Sequence, residues 1–179
     1  PFANQAKVFA HRPIIFKHMM SMLMEMAENP IIDKRYLEIA IYPFLTLLVS
    51  GGHTILAKVD KSGLYKILGQ TIDDALGEAF DKTAKMLGLK YPGGPEIEKR
   101  SSQGKSENYS FPRPIINSDD YNFSFSGLKT SVLYKINSLK KERELSEELI
   151  SNICLEFQNA VIDCLLYKTR KALKDFRLN

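Results

Sequence analysis

The residues in this sequence whose type and spacing first suggest chemistry are Ser50-Gly51-Gly52-His53-Thr54. An apolar run, Phe44-Leu45-Thr46-Leu47-Leu48-Val49, leads into them and reads as a strand buried on both faces. Ile55-Leu56-Ala57-Lys58-Val59 follows and reads as a second strand. Two glycines at a sheet edge let backbone amides approach an anion closely and permit φ > 0. Ser50 and Thr54 would add hydroxyl donors. The expectation is a loop that holds the phosphate end of a nucleotide-like ligand. The lysine-bearing P-loop is excluded, because no Gly-Lys-Ser/Thr follows and the next element reads as strand. An ordinary Gly-Gly hairpin turn is the alternative. His53 stays open between phosphate ligand, general base and turn residue.

A second group is Asp74, Glu78 and Asp81, whose i, i+4, i+7 spacing puts their carboxylates on one helix face. Such carboxylates can bind ribose hydroxyls, hold a metal or do acid–base work. The other reading is a solvated face supported by the i, i+4 pairs Glu78–Lys82 and Asp81–Lys85. Gly93-Gly94-Pro95 is either a further place where backbone meets ligand or a turn between helices. His11 and His18 lack the His-x-x-x-His spacing of a zinc pair, so they do not support a metal site by themselves.

These residues need elements to position them. After the second strand, Asp60-Lys61-Ser62-Gly63 reads as a turn and Leu64 to Leu68 as a third strand, completing an antiparallel meander. A helix is predicted over 71–88, capped by Thr71, with Asp73 and Asp74 in its first turn. Its stripe is Ile72, Ala75, Leu76, Ala79, Phe80, Thr83, Ala84 and Leu87, and Gly88 is its C-cap. Tyr91 to Pro95 reads as a rigid turn before a short helix from Glu96 to Ser101. Residues 102–122 are polar and irregular, and Phe123-Ser124-Phe125 alternates like a strand. Gly127-Leu128-Lys129-Thr130 opens another helix, and Lys140 to Glu144 is a charged connection. A long helix from Ser146 to Lys174 carries the stripe Ile150, Ile153, Cys154, Phe157, Val161, Cys164 and Leu165. Residues 1–30 read as helical up to Asn29-Pro30 and hold five of the six methionines, a composition suited to adaptable packing or a partner surface. Residues 31–42 read as a loop or short helix.

At 44% hydrophobic and 26% charged, the chain has the composition of a soluble globular protein. No apolar run approaches the roughly 18 residues of a membrane span, and the start has no signal-peptide pattern. A net charge of +4 leans mildly toward polyanions such as RNA. Cys154 and Cys164 lie ten residues apart in one predicted helix, roughly 15 Å at 1.5 Å per residue, too far to bridge. Both read as buried, reduced thiols in a reducing compartment. The sequence starts at Pro1, and Asn179 directly follows a helical stretch, so it reads as a piece of something longer.

Five stretches combine into a more specific pattern. They are Leu47 to Thr54, Thr71 to Lys82, Tyr91 to Pro95, Phe111 to Pro114, and Phe123 to Thr130. In this order and spacing the set resembles the tRNA threonylcarbamoyladenosine biosynthesis transferases, formerly called O-sialoglycoprotein endopeptidases or glycoproteases. The resemblance runs from about Pro43 to Leu173. It implies an α/β fold of the ASKHA type, actin-like with ribonuclease-H-like lobes, incomplete at both ends. Residues 1–42 would be a helical N-terminal segment with a degenerate metal motif, and 43–179 the central part of the ASKHA domain.

The resemblance also implies an activity. A threonylcarbamoyl group would pass from threonylcarbamoyl-AMP to N6 of adenosine 37, in tRNAs reading codons that begin with adenine. Leu48, Val49, Ser50, Gly51 and Gly52 would cradle the phosphate region, Asp81 would reach the ribose hydroxyls, and Gly94 would lie against the nucleoside. Glu98 matches a nucleoside contact of part of the family. No residue stands out as a nucleophile, so catalysis would come from positioning and electrostatics. Implied partners are tRNA and other proteins of the threonylcarbamoyladenosine pathway, with no membrane, in the cytoplasm or alternatively a mitochondrion.

One divalent iron or zinc ion is also implied, and here the sequence departs from the family. The best match to its His-x-x-x-His pair is His18-Met19-Met20-Ser21-Met22, where only the first histidine survives. A thioether at Met22 is a poor ligand for such an ion. By the family's length the resemblance implies that this chain would be roughly the middle half, with one phosphate loop expected before Pro1 and the third metal ligand and an adenosine loop expected after Asn179. The alternatives are a non-catalytic, degenerate paralogue that binds a nucleotide or partner and, ranked last, a metallopeptidase of the glycoprotease type.

Overall fold

The chain is seen in a computed structural model that describes residues 7–10, 42–61, 63–106, 110–142 and 144–178. Three strands form the expected meander: β2 (Phe44–Val49), β3 (Thr54–Lys61) and β4 (Leu64–Gln70), each antiparallel to the next. Short connections leave no other pairing open to them. The first strand, β1 (Lys7–Ala10), pairs parallel to β2 on its free side, giving the sheet order β1-β2-β3-β4. Lys7–Ala10 is thus strand, not part of the helix expected over residues 1–30. The sheet edge offers Lys-Val-Phe-Ala backbone partners, and tertiary pairing overrides a weak local preference. The rest of residues 1–41, with the methionine cluster, lies outside the described residues.

Leu45, Leu47 and Leu48 of β2 are buried, while Phe44, Thr46 and Val49 are half-buried, so the expected two-sided burial is partial. β3 and β4 run further than the sequence suggests. Pairing continues past a bulge to Lys61↔Leu64, and Gly63, just before β4, takes φ +73.

Four helices follow: α1 (Leu76–Met86), α2 (Gly93–Ser101), α3 (Ser126–Glu142) and α4 (Glu147–Asp175). α1 begins later than predicted, and Thr71 does not cap it. The Thr71 amide donates to Thr54 O at 2.9 Å and the Ile72 amide to Phe123 O at 2.9 Å, so both residues still belong to the sheet edge. Ile72 consequently leaves the apolar stripe and is 63% exposed. From Ala75 to Leu87 the stripe is as expected. Gly88 at φ +74 lies just past the cap residue Leu87, its amide on Lys85 O and that of Leu89 on Ala84 O, a Schellman ending. Gly93, Gly94 and Pro95 are the first turn of α2 rather than the turn before it. A proline tolerates that position because its missing N–H would have no intrahelical partner. Phe123-Ser124-Phe125 is no strand. Only the Thr71↔Phe123 bridge forms, and all three side chains are buried because both phenylalanines enter the core.

α4 is the post around which the helical side packs. Ser146 caps it by accepting from the Leu149 amide, and the predicted stripe is buried except for half-buried Leu165. The Phe80 and Phe157 rings meet edge-on at 5.0 Å, and Arg100 pairs with Glu147, joining α1 and α2 to it. α4 is long and apolar enough over an 18-residue window to cross a membrane, but 61% of that window is buried, which suits a core helix. Both cysteines are buried and free; burial pushes the Cys154 thiol up to about 12 and that of Cys164 to about 11, leaving neither as a nucleophile.

The irregular segment between α2 and α3 is held to α4 by polar side chains. The Lys105 amide donates to Asn152 Oδ1 at 2.7 Å, and Ser106 Oγ to Glu156 Oε1 at 2.8 Å. Arg113 donates to Asp163 Oδ2 from Nε and Nη2, and to Phe111 O from Nη1. Lys168, only 1% exposed, donates to Ser118 O, Ser118 Oγ and Asp120 O at 3.1, 2.7 and 2.9 Å. The Ser118 hydroxyl, above all, pulls the Asp120 carboxyl down to about 2. Lys168→Met would leave these neutral acceptors facing an apolar side chain, and leaving buried polar groups without a partner costs about 1–3 kcal/mol. Urea denaturation of the full-length protein is expected to show a loss on that order. Unchanged stability would mean that the strap is held by other contacts.

Candidate functional site

The loop from Ser50 to His53 is closed by its own serine. Ser50 Oγ accepts from the His53 amide at 3.0 Å and the Gly52 amide at 3.3 Å, and the Ser50 amide donates to His53 O at 2.8 Å. Positive φ is found at Gly63 and Gly88, not at Gly51 or Gly52. These two glycines therefore matter for what they lack: both are exposed, and a Cβ on either would meet nothing within 4 Å. Thr54 is not a ligand donor as expected. It is fully buried, and its Oγ1 accepts from the Leu76 amide at 2.9 Å. His53 Nδ1 lies 3.5 Å from Ser50 Oγ, so the ring sits against the loop.

The start of α1 rests on this loop. The Gly77 amide donates to Ser50 O at 3.2 Å, and a Cβ on Gly77 would lie 2.7 Å from Gly51 Cα. Only glycine allows that approach. One helical turn further, about 6 Å along the axis, Asp81 Oδ1 accepts from the Gly93 amide at 2.7 Å. Asp81 thus satisfies one of the free donors at the start of α2. Gly93 fits tightly, since its Cβ would stand 2.7 Å from Asp81 Cα. The next residue, Gly94, has open space where a side chain would be. Glu98 follows one turn on along α2 and is exposed. The structure therefore sets Ser50 to Gly52, Gly77, Asp81, Gly94 and Glu98 along one continuous path. Leu48 is buried and Val49 half-buried, so at this path they offer backbone rather than side chain.

Of the carboxylates predicted to share one helix face, Asp74 and Glu78 meet on Lys82, while Asp81 turns to the Gly93 amide. Asp74 precedes α1; its Oδ1 accepts from Lys82 at 2.9 Å and its Oδ2 from Lys129 at 2.5 Å. Glu78 pairs with Lys82 at 2.6 Å, as the i, i+4 spacing suggests. Asp73, expected in the first turn of α1, instead caps α3. Its carboxylate accepts from Ser124 Oγ, the Phe125 amide, the Ser126 amide and Ser126 Oγ at 2.5, 2.8, 3.2 and 2.7 Å. Burial raises the Asp73 carboxyl, but its hydrogen bonds outweigh that and hold it below the usual carboxylate range. Asp74 is held low in the same way, burial being overcome by Lys129 and Lys82. Sequence reasoning singled out both aspartates but missed Lys129, the capping of α3 by Asp73 and the pairing of Asp74 with α3. The recurrence of Thr-x-Asp-Asp and Phe-Ser-Phe-Ser-Gly-Leu-Lys among the recognised stretches was the available signal, but their mutual contact was not visible in it.

His18 and Met22 lie outside the described residues. Among the described residues no three His, Cys, Asp or Glu side chains come together to hold a metal ion. A thioether at Met22 is a poorer ligand for the implied iron or zinc than an imidazole would be.

A family model described as tRNA N6-adenosine threonylcarbamoyltransferase matches residues 3–179. Curated proteins of that name align over 137 residues, 76% of this chain. The chain is 50% identical to the protein of Thermosipho africanus (strain TCF52B), covering 40% of it, and 52% identical to that of Thermosipho melanesiensis (strain DSM 12029 / CIP 104789 / BI429), also covering 40%. It is 50% identical to the protein of Fervidobacterium nodosum (strain ATCC 35602 / DSM 5306 / Rt17-B1), covering 41%. The aligned part is thus about two fifths of each relative's length.

Two outcomes follow from this geometry. Gly77→Ala gains about 1 kcal/mol of helix propensity, but its new methyl meets backbone, and overpacking of that kind costs about 1–3 kcal/mol. The clash wins, so urea denaturation should show a net loss; a gain in stability would contradict the packing of α1 on the loop. Asp73 has a depressed pKa, so its contribution to stability is complete above the unfolded carboxylate value of about 4 and is lost as pH falls through the lower folded value. Asp73→Asn is therefore expected to lower stability at pH 7 by about 0.5–1.5 kcal/mol, the exposed carboxylate being screened by solvent, and to flatten the acid limb below pH 4. An unaltered acid limb in the variant would exclude this role.

Proposed function

The chain belongs to the tRNA N6-adenosine threonylcarbamoyltransferase family, and from that premise we propose that its parent protein moves a threonylcarbamoyl group from threonylcarbamoyl-AMP to N6 of adenosine 37 in tRNAs reading codons that begin with adenine. The observation that carries the reading is the path from the open Gly51–Gly52 loop past Gly77 to Asp81 and Gly94. Its order suits an adenylate: glycine backbone toward the phosphate, a carboxylate toward the ribose, and a side-chain-free surface toward the base. Asp81 Oδ1 is occupied by the Gly93 amide, which fixes the carboxylate and leaves Oδ2 for a ribose hydroxyl. The acceptor amine attacks the carbamoyl carbon, the bond from that carbon to the phosphate oxygen breaks, AMP departs and the amine proton passes to solvent. Binding and orientation would supply the rate, and the two buried thiols take no part in it.

The finer expectations go with this reading. The fold would be the central part of an ASKHA domain, with tRNA and other proteins of the pathway as partners. The compartment would be reducing, cytoplasmic or alternatively mitochondrial, in keeping with two buried free thiols. The replacement of the second histidine by Met22 favours one other reading, a degenerate paralogue that binds adenylate without turnover.

The full-length gene product, incubated with tRNA and threonylcarbamoyl-AMP, is expected to yield threonylcarbamoyladenosine by mass spectrometry of the digested tRNA. Asp81→Ala should lower kcat/KM by about 10–100-fold, the worth of a hydrogen bond to a charged group. No product, alongside an active relative as control, overturns the transferase reading; adenylate binding without product establishes the paralogue.

A further inference from the structure

Lys129 is a lysine of the first turn of α3, distant in sequence from every residue of the path described above. Its ammonium donates to Asp74 Oδ2 at 2.5 Å, with side-chain exposures of 19% for Lys129 and 13% for Asp74. Asp74 stands in the short link between β4 and α1. Two residues later the Leu76 amide meets buried Thr54 Oγ1, and the Gly77 amide meets Ser50 O in the glycine loop. Asp73 adds a second hold from the same link, on the α3 start at Ser124, Phe125 and Ser126. The other cation on Asp74, Lys82, belongs to α1 itself and is shared with Glu78. It cannot fix the start of α1 against another element. Lys129 can, because it comes from α3.

We infer that Lys129 is a positioning residue for the adenylate site, acting through Asp74 to hold the first turn of α1 against the Ser50–Gly51 loop. The inference rests on the transferase reading for its ligand but not for its geometry. Gly77 has no slack: a position for Cβ lies 2.7 Å from backbone atoms of both Ser50 and Gly51. A small rotation of the α1 start therefore moves the loop or breaks the Gly77–Ser50 hydrogen bond. Displacements near 1 Å at a site that works by positioning cost up to about a hundredfold in rate or binding.

The test uses the full-length protein with Lys129→Met, Lys129→Arg and Asp74→Asn. Hydrogen–deuterium exchange is expected to speed up in residues 50–54 and 75–78 of the Met and Asn variants while α4 keeps its protection. The Met variant should lower kcat/KM for threonylcarbamoyl-AMP by about tenfold, and the Arg variant should recover most of it. Unchanged exchange in both segments overturns the inference. So does faster exchange throughout, α4 included, which marks a general stabilising role. Should the Met variant fail to fold, the Asn variant decides by the same exchange pattern. If the unaltered protein shows no transfer, the functional reading fails, and the exchange comparison still decides whether Lys129 positions the loop.

Discussion

Where α1 begins, its free amides are satisfied by the preceding hairpin: the Leu76 amide by Thr54 Oγ1 at 2.9 Å and the Gly77 amide by Ser50 O at 3.2 Å. A helix start has donors without intrahelical partners, and a buried start must find them elsewhere. Here they come from β3 and the glycine loop, so the position of α1 and the shape of the loop are one constraint. Much else depends on it. Thr54 is buried because it must reach the helix. Position 77 is glycine because the backbones touch. Asp81, one turn on, is thereby brought to the start of α2, where it takes the Gly93 amide.

The rest of the helical side is held by a different device. Segments without regular structure cannot use a strand ladder, so their polar groups are met by charged or amide side chains across 43 to 55 residues of chain. Asp73 and Asp74 hold the start of α3, while Asn152, Asp163 and Lys168 of α4 hold the strap between α2 and α3. Hydrogen bonds to ionised groups are stronger than neutral ones, and Lys168, almost fully buried, meets carbonyl and hydroxyl oxygens rather than a void. The Phe111 to Pro114 stretch, notable in the sequence, thus has a structural part: Arg113 fastens it to Asp163.

Periodicity made the meander, the stripe of α1 beyond Ala75, the long α4 and the buried cysteines legible, because burial repeats every two or 3.6 residues and leaves its mark locally. Expectations failed where a partner far along the chain outbid the local preference. Thr71 looked like a cap but spends its amide on Thr54. Asp73 looked like a first-turn acid but caps α3 instead. Phe123 to Phe125 alternates like a strand, yet one bridge forms and both rings enter the core.

For the candidate site the division is similar. The sequence by itself determined which residues could meet an adenylate, since Ser50 to Gly52, Asp81 and Gly94 belong to stretches whose order marks the family. Only the tertiary structure decided how they stand: that Ser50 folds the loop's amides onto its own hydroxyl, that Gly77 is the point of contact, and that Asp74 faces Lys129 of α3. The physical reason is that a hydrogen bond or ion pair between distant residues leaves no periodic trace in either partner. Spacing reports the face a side chain lies on, and only the packed chain determines what that face meets.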